Sequence, residues 1–118
     1  MVSQKQLKEQ IYKYIDAPLH PGVNFDTGLH YESIGQTGAA LSFFLRCAEL
    51  TDNDLLAYEA LLKTYRCMAS QTRRPIWEKE QLMMATTLRP DRPEAYFLLS
   101  QWHSAREEWT ESHYYAVS

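Results

Sequence analysis

Leu50–Leu61, LTDNDLLAYEAL, and Leu88–Leu99, LRPDRPEAYFLL, are two versions of one pattern. Leu50 and Leu88 stand 38 residues apart, as do Ala57 and Ala95, Tyr58 and Tyr96, and Leu61 and Leu99. A small residue, an aromatic and a leucine at i, i+1 and i+4 occupy one side of a helix. A polar turn precedes each copy, with Asp52 and Pro90 at the same separation. Tyr31 and Tyr65 are 34 residues apart. One helix-turn-helix unit therefore recurs at a period of 34, with four residues inserted where Ser70–Arg74 (SQTRR) predicts a loop.

The rest of the chain fits the same unit. Leu7, Ile11 and Tyr14 or Ile15 place apolar groups on one face of a helix over Ser3–Ile15. Pro18 and Pro21–Gly22 predict a linker over Asp16–Gly22. A second helix is expected over Asn24–Ile34, stopped by Gly35 as a glycine beyond the C-cap. A third, from Thr37 or Gly38 to Leu50, carries Leu41, Phe44, Leu45 and Ala48 at i, i+3, i+4 and i+7. Asp52-Asn53-Asp54 caps a fourth helix over Leu55–Ala69, with Leu55, Tyr58, Leu61, Leu62 and Tyr65 on its stripe. Pro75 and Pro93 fit the first turns of helices five and six, to Leu88 and Ala105. A seventh is expected from Glu107 to the chain end. No strand-type alternation persists, so the fold class is all-α.

Composition narrows the function. The 118 residues are 45% hydrophobic and 23% charged, an ordinary globular mixture of about one domain. A net charge of −3 and a pI near 5.8 supply no basic field for nucleic acid or an anionic membrane. Arg73, Arg74, Arg89, Arg92 and Arg106 are diluted by Asp91, Glu94, Glu107 and Glu108. No apolar run is long enough to span a bilayer, and Met1–Gln10 has no signal-type core, so a cytoplasmic location is expected. Cys47 and Cys67 have no metal-type spacing and read as reduced core residues.

These features together resemble the tetratricopeptide-repeat family. Gly28-x-x-Tyr31, then Gly35, then Ala40-x-x-x-Phe44 with Cys47, match its first repeat. Tyr58, Leu61, Tyr65, Leu82, Ala85 and Pro90 match the second. Tyr96, Leu99, Ser100 and, less closely, Ser112 match a third that is cut off inside its second helix. Thr27, Leu62 and Glu78 depart from the pattern, replacing a leucine and two small residues. The resemblance covers Val23–Ser118. It implies a right-handed stack of antiparallel helical hairpins, about seven helices with an extra one at the N-terminus. The expected division is 1–22, helix and linker, and 23–118, repeats, split at about 23–54, 55–92 and 93–118. No single hairpin can bury its own stripe, so neighbours must stack.

Stacked hairpins put the first helix of each on a concave surface. Residues one step beyond the core stripe would line it: Phe25, Leu29 and Glu32; Glu59, Lys63 and Arg66; Phe97, Gln101 and Ser104. Such a groove suits a peptide or helix with an apolar anchor and one or two charges. Solvent, or the chain's own first helix over Phe25 and Leu29, is the competing occupant. Phe25 and Leu29 also stand where some family members carry part of a clamp for a chaperone C-terminal carboxylate, which argues against that ligand. Trp102, Trp109, Tyr114 and Tyr115 form a second candidate surface on the last hairpin, for a further domain or a second copy; for Trp102 and Trp109 the blander expectation is packing inside the hairpin.

Enzymatic chemistry is not expected. His20, His30, His103 and His113 lack the i, i+4 spacing of a helical metal pair, and no nucleophile elbow, phosphate loop or dinucleotide fingerprint occurs. No cofactor or metal is implied. The expected role is a scaffold for a protein or peptide partner. A second expectation comes from Phe43–Glu49 (FFLRCAE) and Arg92–Ser100 (RPEAYFLLS), which resemble strings in repeat modules found beside sugar-transferring enzymes. That resemblance implies an accessory domain of a glycosyltransferase system, or a homo-oligomerisation module.

Overall fold

A computed structural model describes residues 3–71 and 75–105. Among them are six helices: α1 (Gln4–Asp16), α2 (Pro21–Ser33), α3 (Thr37–Leu50), α4 (Asp54–Ser70), α5 (Pro75–Leu88) and α6 (Pro93–Ala105). The expected seventh helix, with most of the third hairpin's second half, lies outside the described residues. Each helix packs on its neighbours in sequence, so α2–α3 and α4–α5 are successive hairpins and α6 opens a third.

Local chemistry sets the ends. Ser3 and Gln6 form a reciprocal capping box at α1, with bonds of 2.9 and 3.1 Å. Helix α2 begins at Pro21, three residues before the Asn24 start the prolines had indicated, and the linker shrinks accordingly. Proline is at home in a first turn, and His20 Nδ1 accepts the Val23 N–H at 3.1 Å as an N-cap. Asn24, now inside the helix and buried, donates to the Pro18 and His20 carbonyls at 3.0 and 2.9 Å. Arg46 of α3 also reaches the Pro18 carbonyl. Gly35 ends α2 with φ +79°, where the Gly35 and Gln36 N–H groups bond to the Glu32 and Tyr31 carbonyls. Asn53 caps α4, accepting the Leu56 N–H at 2.9 Å.

Two apolar clusters hold the hairpins together. The first joins Ala40, Phe44 and Cys67, with Phe25, Leu29, Tyr31 and Leu41 against it. Gly28 allows this contact, because a Cβ there would lie 2.7 Å from the Phe44 ring. The second joins Tyr58, Leu61, Leu62, Leu82, Ala85, Ala95, Leu99 and Trp102. The three repeat tyrosines differ in detail. Tyr58 is wholly buried and its Oη accepts the Ala95 N–H at 3.1 Å. Tyr31 is half-buried and stacks on Phe43, with centroids 5.5 Å apart. Tyr96 is half-buried.

The departures from the repeat pattern have visible consequences. Thr27 is buried, donates to the Val23 carbonyl at 2.7 Å and accepts from Gln10 Nε2 at 3.0 Å. That bond ties α1 to α2. Leu62 joins the second cluster, and Glu78 is wholly buried. On α1, Tyr14 turns inward to meet the Phe43 ring edge-on at 5.1 Å, while Ile15 faces outward. Spacing alone had left those two interchangeable.

Candidate functional site

Helices α2, α4 and α6 form one layer of the stack, and two ion pairs run across it. Lys63 Nζ of α4 lies 2.9 Å from Glu32 Oε1 of α2. Arg66 of α4 meets Glu94 of α6. Both pairs are partly solvated, so each contributes at most about 1 kcal/mol. Their larger effect is on the surface: both cations of this face are already engaged by the chain's own acids.

Phe25 and Leu29 are half-buried against the first cluster, and the Phe25 ring meets Phe44 at 5.4 Å. They form the wall of the face and not an open anchor. Glu59 is exposed and belongs to no ion pair among the described residues. Phe97 is 63% exposed, and Gln101 beside it is exposed too. Ser104 is half-buried. The face thus offers one open aromatic, one free carboxylate and two internally paired cations. Helix α1 makes its polar and ring contacts with Val23, Thr27, Phe43 and Arg46, at the end of the stack.

Trp102 is buried in the second cluster, with Lys79 Nζ 5.3 Å from its ring centroid. Trp109, Tyr114 and Tyr115 lie outside the described residues.

Burial pushes the Cys47 and Cys67 thiols up to about 11, with nearby Asp26 and Glu32 adding to the effect, so both stay protonated. Burial also raises the Tyr58 phenol. His20 is a helix cap, His30 Nδ1 meets the Asp26 carbonyl at 2.8 Å, and His103 is buried. His113 lies outside the described residues. Among the described residues no three His, Cys, Asp or Glu side chains gather as metal ligands would. No helix among them is long and apolar enough to cross a membrane.

The structure also holds a cleft that the repeat pattern did not indicate. A cleft of about 630 Å³ opens between the C-terminal half of α5, the end of α3 and the start of α4. Met83, Met84 and Leu88 line it with Ala57, under a rim that includes Asp52 and Asp54. The signal was present: α5 carries Ile76, Trp77, Met83 and Met84 outside its Leu82–Ala85 stripe, all four exposed. A helix apolar on both sides wants a second cover.

No family model matches the chain, and no curated protein matches it in sequence. A solved structure titled MamA MSR-1 C2, of a protein containing tetratricopeptide repeats, superimposes with a TM-score of 0.75 at 15% identity. The match covers 94% of this chain and 62% of that one. At that identity the likeness concerns the fold.

Proposed function

From the premise that this is a tetratricopeptide-like stack of helical hairpins, we propose that the chain is a non-catalytic scaffold whose α2–α4–α6 face binds a segment of another protein. The observation that carries this reading is Phe97, a large aromatic left 63% exposed on the layer whose cations are already paired. An open aromatic beside charged groups is the composition of an interface anchor. Glu59 is the free charge of the face, so the ligand pairs an apolar side chain with a neighbouring Lys or Arg. An acidic or C-terminal carboxylate ligand would have to break the Glu32 or Glu94 pairing to reach a cation.

A pull-down read by mass spectrometry tests the proposal. The full chain is compared with Phe97→Glu and Glu59→Lys, each checked for unchanged helicity. Partners that disappear with both variants support the groove. A partner set identical in all three proteins counts against it.

A further inference from the structure

Two unpartnered apolar surfaces lie away from the α2–α4–α6 face, one edged by lysines and the other by aspartates. One is the open flank of α1. Tyr12 and Ile15 are 56% and 61% exposed, although α1 is strongly amphipathic. They share one edge of the helix with Lys8, whose Nζ lies 6.0 Å from the Tyr12 ring centroid. The same side continues into an open cleft of about 460 Å³ where Leu7 and Ile11 meet Ile34. Lys5 and Lys8 belong to no ion pair among the described residues. The other surface is the α3–α4–α5 cleft, where Met83 and Met84 are 45% and 52% exposed. Its rim is acidic through Asp52 and Asp54. Just past the end of α5, Arg89 is held by Asp91 through bonds of 2.9 and 2.8 Å and lies within electrostatic reach of Asp54. Asp52 has no ion-pair partner among the described residues.

We propose that these two surfaces are the halves of one contact: the Lys8–Tyr12–Ile15 flank of α1 docks in the Met83–Met84 cleft of a second copy, with Lys5 and Lys8 facing Asp52 and Asp54. The chemistry of each half matches the other. An amphipathic helix laid in an apolar groove is a common recognition mode. Unbranched methionines adapt their shape to an incoming tyrosine and isoleucine. The lysines supply the sign the rim lacks, and the opposite signs fix which surface meets which. Because the two surfaces differ, the contact is head-to-tail. It leaves a free flank at one end and a free cleft at the other, and so propagates instead of closing as a two-fold dimer. It does not use the α2–α4–α6 face, so it stands independently of the ligand proposed there.

Sedimentation velocity of the full chain over a concentration series is the test. The expected result is a mass above 13.8 kDa that rises with concentration and falls as salt screens the charge pairs. Tyr12→Glu with Ile15→Glu removes the flank; Met83→Lys with Met84→Lys removes the cleft. All four side chains are exposed, so the folded chain tolerates the changes, and circular dichroism checks it. Each variant alone should be monomeric. Mixed in equal amounts, they retain one good flank and one good cleft, and should form a species of two chains and none larger. Phe97→Glu should assemble as the unaltered chain does. An unaltered chain that stays monomeric at every concentration overturns the proposal and leaves the cleft to a foreign protein. Variants that assemble normally, a mixture that stays monomeric, or loss of assembly in Phe97→Glu overturn it equally.

Discussion

Tyr58 ties the repeat pattern to a specific bond. Its ring fills the second cluster, and its hydroxyl oxygen accepts the Ala95 N–H of α6. That N–H belongs to the first turn of α6, where no intrahelical carbonyl is available. The tyrosine of one hairpin thus caps the first helix of the next, which explains why a hydroxyl is tolerated in an otherwise apolar cluster. Tyr58→Phe keeps the ring and removes the acceptor, leaving the N–H of the wholly buried Ala95 unsatisfied. The expected loss is about 1–3 kcal/mol in urea unfolding, with the slope of the transition unchanged. A loss within about 0.5 kcal/mol, the ordinary range for surface changes, would show that the bond contributes nothing. Buried apolar residues such as Ala40, Phe44 and Leu99 were legible because their spacing is periodic. The Tyr58–Ala95 bond was not, since it joins residues 37 apart by a geometry that spacing does not encode.

At the scale of the element, helix ends were legible wherever a proline, an Asx residue or a glycine marked them, as at Asn53, Gly35 and Pro93. The start of α2 was misplaced because its cap is His20, a residue outside the usual capping set. The two ion pairs linking α4 to α2 and α6 were hidden for another reason: their partners stand 31 and 28 residues apart on separate helices. The turn between α5 and α6 holds a local pair that can be tested directly. Arg89 donates to both oxygens of Asp91, and this hydrogen bonding lowers the Asp91 carboxyl from 3.8 to about 2. A carboxyl depressed in the folded state stabilises above its ordinary value, and that contribution disappears as pH falls from about 3.8 to about 2. The Asp91 side-chain carbon, followed by NMR, should titrate near the lower figure. Arg89→Lys retains the charge but loses the two-pronged geometry, so it should move the midpoint back toward the ordinary value. A midpoint near 3.8 in the unaltered chain would mean the pair is absent in solution.

Across the whole molecule, α1 is the element the repeat period does not require, and its place decides whether the α2–α4–α6 face is open. The sequence allowed it to lie over Phe25 and Leu29. The structure instead sets it on the Val23–Thr27 side of α2 and against Phe43 and Arg46, the position a preceding repeat would occupy. The Gln10–Thr27 bond explains why a polar residue sits where the repeat pattern has leucine: Thr27 meets a polar side chain of α1. In a stack, each layer is stabilised by its immediate neighbours, so removing an end layer should weaken the adjacent one most. A chain beginning at His20 keeps the cap of α2 but loses α1. It should remain helical and unfold at a lower temperature, each lost kcal/mol lowering the midpoint by roughly 4–8 °C. Hydrogen exchange locates the effect. Amides of α2 around Val23–Gly28 should exchange faster, while those of α6 keep their protection. Faster exchange spread evenly from α2 to α6 would show that α1 supports the whole stack, as a helix lying along the groove would, and would remove α1 from the end position argued here.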